Sequence, residues 1–120
     1  MKTKLFLVAL SILLLASGSY ANYLEEGTEY VPNRIVVNFH PTFNDISIDK
    51  STGIVITGIE ELDAIHEKYT AYDMYRLFPG NNSEEMRYFY VVKFETEPEL
   101  ETALSDYAKI GVVEHVEPVG

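Results

Sequence analysis

The chain has 120 residues, with 9 Lys and Arg against 19 Asp and Glu, and no cysteine. One ordinary domain fits that length. A formal charge of −10 lacks the basic footprint that nucleic acid or anionic lipid demands, and the absence of Cys excludes a disulfide framework, a thiolate zinc site and a cysteine nucleophile. At 47% hydrophobic and 12% aromatic residues, the composition supports a packed core rather than a disordered acidic tail.

Met1-Lys2-Thr3-Lys4 is a short basic start, and Leu5 to Ala16 is an apolar run broken only by Ser11. Ser19-Tyr20-Ala21 then offers small side chains where a signal peptidase reads, so residues 1–21 read as a secretory signal with cleavage before Asn22. The run is shorter than the ~20 residues that span hydrocarbon, and no cysteine follows it to carry a lipid. Removing it takes away two lysines and no acid, leaving 99 residues in which 7 bases face 19 acids, a charge of −12. Small exported domains often rely on disulfides. This one must rely on its sheet and helices, or partly on a partner.

Residues 22–29 are polar and acidic, a loose leader, and residues 30–120 form the domain proper. Arg34 to Phe39 reads as a strand with Ile35, Val37 and Phe39 on one face, and Pro32 suits its entrance. Pro41 to Gly53 is irregular, with room for a short excursion at Asp45 to Asp49, and Ile54-Val55-Ile56 is a candidate extra strand. Ile59 to Tyr69 reads as a helix, because Ile59, Leu62, Ile65 and Tyr69 recur at helical spacing. Thr57 or Gly58 is placed to cap it, with Glu60 and Glu61 at the positive end of its dipole. Tyr72 to Phe78 is a second strand, closed by the turn residues Pro79-Gly80-Asn81-Asn82-Ser83.

Met86 to Glu95 is a third strand and the longest. Thr96-Glu97-Pro98-Glu99 has the spacing of a capping box with Pro in the tolerated first turn. Leu100, Ala103, Leu104 and Tyr107 then form a helical stripe that Gly111 closes, and Val112 to Val116 is a last short strand. The order β-α-β-β-α-β predicts an α+β, ferredoxin-like domain, a four-stranded antiparallel sheet with two helices on one face.

Such a sheet should be polar on its free face, yet apolar residues fall on both. In the third strand Tyr88, Tyr90, Val92 and Phe94 oppose Phe89 and Val91; in the first, Val36 opposes the core set; in the second, Met74 and Phe78 oppose Tyr75 and Leu77. Either the loop from Pro41 to Gly53 folds back as a cover, or the face docks on a partner.

Signals for catalysis are lacking. His40, His66 and His115 lie on different elements without metal-binding spacing, and His66 borders the apolar stripe of the first helix. No serine sits in a G-x-S-x-G elbow. The pairs Glu25/Glu26, Glu60/Glu61 and Glu84/Glu85 are adjacent in sequence, so they point apart and read as solvated charge. The loop at Pro79 to Ser83 lacks the lysine of a phosphate loop, and Asn81-Asn82-Ser83 matches a glycosylation acceptor. We expect no enzyme, no cofactor and no metal.

Tyr30-Val31-Pro32-Asn33-Arg34-Ile35-Val36-Val37-Asn38-Phe39 resembles the opening strand of subtilisin-like serine protease propeptides, notably the fervidolysin-like prodomains. Gly58-Ile59 through Leu62-Asp63, Tyr69 and Arg76-Leu77-Phe78-Pro79 resemble their first helix and second strand. Val113-Glu114-His115-Val116-Glu117-Pro118 resembles the valine-glutamate and glutamate-proline signature that closes them. The resemblance covers residues 30–118. It implies an α+β fold and a secreted, extracellular or periplasmic protein whose partner is a subtilisin-like serine protease, inhibited by the propeptide or helped by it to fold. It further implies contact through the open face, here Phe89 and Val91, through the acids Glu114 and Glu117, and through a tail of Val116, Pro118, Val119 and Gly120 lying in the substrate cleft.

The chain departs from the family in carrying no D-T-G, H-G-T or G-T-S-M segment of the protease, and in ending Pro118-Val119-Gly120 without a bulky apolar residue at the last position. It therefore reads as a stand-alone inhibitor or chaperone, or as the detached N-terminal prodomain of a longer protease. A non-protease binding module on the same frame is the further alternative. An acylphosphatase would need an arginine beside a glycine-rich anion loop after the first strand, where His40-Pro41-Thr42-Phe43 stands instead. No nucleic acid and, after signal cleavage, no membrane is expected as partner. Intact mass and N-terminal sequencing of the exported protein should give a chain beginning at Asn22; a chain beginning at Met1 would show that the segment is retained.

Overall fold

A computed structural model describes residues 23–41 and 46–120. The signal segment 1–21 with its cleavage point before Asn22, and Asp45 of the expected excursion, lie outside the described residues. The elements are β1 (Arg34–Phe39), α1 (Glu60–Tyr69), β2 (Ala71–Arg76), β3 (Phe89–Phe94), α2 (Leu100–Ala108) and β4 (Val113–Pro118). Every neighbouring strand pair is antiparallel, in the order β2-β3-β1-β4. This is the ferredoxin-like α+β arrangement expected from the element order.

β1 lies between β3 and β4, so its hydrogen-bonding groups are used on both sides. Its alternation carries through the register: Ile35 pairs with Val92, which pairs with Met74, and Val37 lies between Tyr90 and Val116. These residues share one face with Phe39 and Phe94, and together with Leu62 of α1 and Leu104 and Tyr107 of α2 they form the core. The described part of the 41–57 loop joins the same layer. Ile46 and Ile48 pack against the core, Val55 is fully buried in it, and the Val55 N–H donates to the Ala71 carbonyl at 2.8 Å. Ile54 to Ile56 thus contributes an isolated bridge, Asp49 with Ile56, rather than a strand.

Four local expectations are corrected. β3 is no longer than the other strands, because residues before Phe89 are drawn into turns: the Met86 and Arg87 N–H groups both donate to the Ser83 carbonyl, at 3.2 and 3.0 Å. Helix α1 is not capped by the side chain of Thr57 or by Gly58. Ile59 is the N-cap, without a side-chain bond. Asp63 instead reaches back from inside the helix and accepts from the Thr57 N–H, the Thr57 hydroxyl and the Gly58 N–H at 2.7, 2.8 and 3.0 Å. A carboxylate there also suits the positive end of the dipole.

Helix α2 starts beyond the expected capping box. Glu99 is its N-cap and accepts from the Thr102 N–H at 2.7 Å, so Pro98 lies outside the helix. A charged acceptor makes the stronger bond to these N–H groups than the Thr96 hydroxyl would. Last, the leader is tied down: the Leu24 N–H donates to the Glu101 carboxylate at 3.1 Å, and Tyr23 and Leu24 pack against the core.

The two helices are joined at their last turns. Asp106 accepts from the Lys68 ammonium at 2.7 Å and also from the Tyr69 hydroxyl. Partial burial works against its charged form, but these two bonds outweigh that and hold the carboxyl below the usual aspartate range. Beneath the clamp, the Tyr107 ring centroid lies 6.0 Å from Phe94, 6.3 Å from Tyr69 and 5.7 Å from His66. Leu104→Ala, at a fully buried site one helical turn from Tyr107, should cost about 2–5 kcal/mol in urea unfolding. A loss below about 1 kcal/mol would show that α2 is not packed on the sheet as described.

Candidate functional site

Any partner surface must lie where no described element packs, and both helices are on the core side. The opposite face is read directly from the register. Glu117 of β4, Val36 of β1, Val91 of β3 and Tyr75 of β2 form one row across it. Arg34, Lys93 and Asp73 form the next row toward one end, and His115, Asn38 and Phe89 the next toward the other.

Apolar residues do occupy this face, but unevenly. Val36 and Val91 are only 5% and 4% exposed, short side chains standing among longer ones, whereas Tyr75 is 40% and Phe78 37% exposed. The accessible apolar surface is therefore displaced from the centre of the sheet toward the β2 edge and the β2–β3 connection.

At that end lies a groove of about 650 Å³. Its floor includes the buried ring of Phe39 and the side chains of Leu77, Phe78 and Phe89. Phe78 and Phe89 meet edge to face, with centroids 5.9 Å apart, a favourable arrangement for aromatic quadrupoles. Exposed carboxylates stand on both banks: Glu84 and Glu85 from the β2–β3 connection, Glu114 and Glu117 from β4. The connection is held in shape by Arg76, which donates to the Asn81 carbonyl at 2.6 Å, and by the Ser83 N–H donating to the Asn81 side chain at 3.0 Å.

The residues singled out from sequence divide accordingly. Phe89, Glu114 and Glu117 line the groove. Val91 is on the same face but covered, and Val116, 2% exposed opposite Val37, is a core residue whose part is to hold β4 against β1. Pro118 pairs with Ile35, and the Val119 carbonyl accepts the Val31 N–H at 2.7 Å, so that the tail continues the β1–β4 ladder. Gly120 is exposed. Val119 runs beside Val31, beyond the end of β1 opposite to Phe39, which lines the groove.

Sequence reasoning missed Leu77, Phe78, Met86, Glu84 and Glu85 as members of a site. The available signal was a tight turn at Pro79 to Ser83 with an acid pair directly after it and a bulky apolar residue, Phe78 or Met86, on each side. Paired acids on a strand diverge, but beyond this turn both line the groove.

Among the described residues no three His, Cys, Asp or Glu side chains converge as metal ligands. His40 and His115 are partly exposed, each beside a glutamate, at 3.8 Å from Glu114 and 3.5 Å from Glu117. His66 is not the border residue expected. It is fully buried, and its Nδ1–H donates to the Val55 carbonyl at 3.0 Å. Its Nε2 and the Tyr107 hydroxyl have no partner among the described residues. A carbonyl accepts only, so the neutral ring carries its proton on Nδ1.

No family model, curated protein or solved structure matches this chain.

Burial holds the His66 ring below the ordinary histidine value of 6.5, against smaller opposing effects of the Val55 bond and Asp63. The unfolded chain therefore binds this proton more readily than the folded one. The stability that His66 contributes is complete above pH 6.5 and is lost as pH falls from there toward the folded-state value. In urea titrations the loss should approach about 1.4 kcal/mol per pH unit at its steepest. His66→Phe should lower stability at pH 7 but remove this part of the acid dependence; an unchanged slope would overturn the assignment.

Proposed function

We propose that the chain is a secreted, propeptide-like binding domain that acts on a subtilisin-like serine protease, as its inhibitor, as its folding chaperone or as both. One observation supports the reading: a split β-α-β-β-α-β frame that keeps its described helices and loop on one side of the sheet, with no described helix on the other. The opening and closing strands that resemble the propeptide family, β1 and β4, are neighbours in that sheet. A surface of this kind works by fit and charge and requires no reacting group of its own.

The row from Glu117 to Tyr75 offers a central pair of small covered residues flanked by longer ones, a shallow trough into which surface helices of a protease can pack. Carboxylates such as Glu117 are suited to the exposed N–H groups at helix N-termini. The tail beyond β4 directs Val119 and Gly120 away from the sheet end that holds the groove, so that face and tail engage different parts of one partner.

Titration of the protein against a panel of subtilisin-type proteases tests the proposal. Inhibition is expected at about 1 µM or below, a binding free energy of ~8 kcal/mol, together with faster recovery of activity when the denatured protease is refolded in its presence. Tyr75→Asp, which should cost about 1 kcal/mol of stability from its strand and leave the domain folded, should weaken inhibition about tenfold, roughly 1.4 kcal/mol of binding. Absence of both inhibition and refolding assistance across the panel would overturn the reading.

A further inference from the structure

The groove at the hairpin end has a chemistry that the protease reading does not require. Its floor is aromatic and aliphatic, and its two banks are acidic. One bank, Glu84 and Glu85, belongs to the connection between β2 and β3; the other, Glu114 and Glu117, belongs to β4. In the sheet order β2-β3-β1-β4 the connection runs from the edge strand β2 to its neighbour β3, and β4 is the other edge. Two to three inter-strand spacings, about 10–14 Å, therefore separate the connection from β4.

An extended peptide advances about 13 Å over four residues and sends residues i, i+2 and i+4 to the same side. A segment of the pattern Lys-x-Phe-x-Lys, or its Arg and other bulky apolar equivalents, therefore sets one cation on each bank and its central side chain on the floor between them. We propose that this groove binds such a short cationic segment of a partner protein, a bulky apolar residue flanked by basic residues two positions away on either side.

Charge decides among the possible occupants. The chain carries −10 overall, and its field raises the local concentration of cations at an acid-lined cleft while repelling anionic surfaces. A second copy seated here would set the same carboxylates against one another, which disfavours self-association. The volume of about 650 Å³ lies within the usual range for specific sites, and an apolar floor with a few placed polar groups is their usual construction. Met86, which also lines the groove, can re-pack around different central side chains. Phe78 is already 37% exposed, so its hydrophobic surface is removed from water only when the groove is filled.

The test uses the isotopically labelled protein and the blocked synthetic peptide Lys-Ser-Phe-Ser-Lys, followed by NMR and calorimetry at low salt. Saturable binding is expected, with the largest shifts at Leu77, Phe78, Phe89 and Glu117 and an affinity that falls steeply as salt is raised. The peptides Glu-Ser-Phe-Ser-Glu and Lys-Ser-Ser-Ser-Lys should each bind at least tenfold more weakly. Glu85→Gln combined with Glu117→Gln should weaken the cationic peptide about tenfold and flatten the salt dependence, and Phe78→Ser should weaken it similarly with the spectrum otherwise unchanged.

No binding, equal binding of the acidic peptide, or indifference to these substitutions would overturn the proposal. So would a concentration-dependent dimer in sedimentation that Phe78→Ser abolishes, which would make a second copy the occupant. No protease is present in the measurement, so its failure leaves the inhibition assay untouched, and failure of that assay leaves the peptide site standing.

Discussion

Tyr107 is the residue on which the helical layer turns. It is fully buried, and its ring meets His66 and Tyr69 of α1 and Phe94 of β3, so one side chain of α2 joins that helix to both α1 and the sheet. Directly outside it, Asp106 accepts from Lys68 and Tyr69. The ring contacts supply the apolar burial, and the polar clamp links the last turns of α1 and α2. Burial holds the Tyr107 hydroxyl well above its ordinary pKa.

With both helices committed to that face, no described helix packs on the other face of the sheet. The division is sharper than the alternation of residues suggests. Val36 and Val91 alternate outward from the core yet are nearly covered, and the outward apolar surface reappears at Tyr75 and Phe78, near the edge. Acids follow the same displacement. Glu84, Glu85, Glu114 and Glu117 come from two stretches distant in sequence but line one groove, because the β2–β3 connection and the start of β4 lie at the same end of an antiparallel sheet and Glu117 stands on its open face beside Val36. Part of the acidity thus acquires a place in the fold.

Strands and helices were legible where periodicity and burial agree. Arg34–Phe39 emerged with its expected boundaries because Ile35, Val37 and Phe39 alternate and all three are fully buried, and the stripe Ala103, Leu104, Tyr107 marked α2 for the same reason. Boundaries failed where backbone bonding competed with side-chain pattern. Tyr88 continues the alternation of β3 but follows a turn in which Ser83 collects two N–H groups, and Thr96 has the spacing of a cap while Glu99, nearer the helix, takes the bond. His66 was placed at the border of its stripe, since a polar residue there ordinarily points to water. The Val55 carbonyl, arriving from a loop of no periodic signal, gives it a buried partner. Of the groove, Phe89, Glu114 and Glu117 were named from family resemblance; Phe78 and the Glu84/Glu85 pair were not, because a turn shows no period by which its side chains can be assigned to a face.

The sequence by itself determined the order of elements, the inward set of each strand and helix, the acidic balance and the absence of thiol chemistry. Each of these depends on the spacing of neighbours along one stretch of chain or on composition alone. Only the tertiary structure decided that β1 and β4 are neighbours, that the loop from Ile46 to Thr57 lies with the helices, and that glutamates about 30 residues apart face a common groove. Those relations depend on how far the chain travels between contacts, and no local pattern records it. They are set by the burial of residues such as Tyr107, whose partners come from across the molecule.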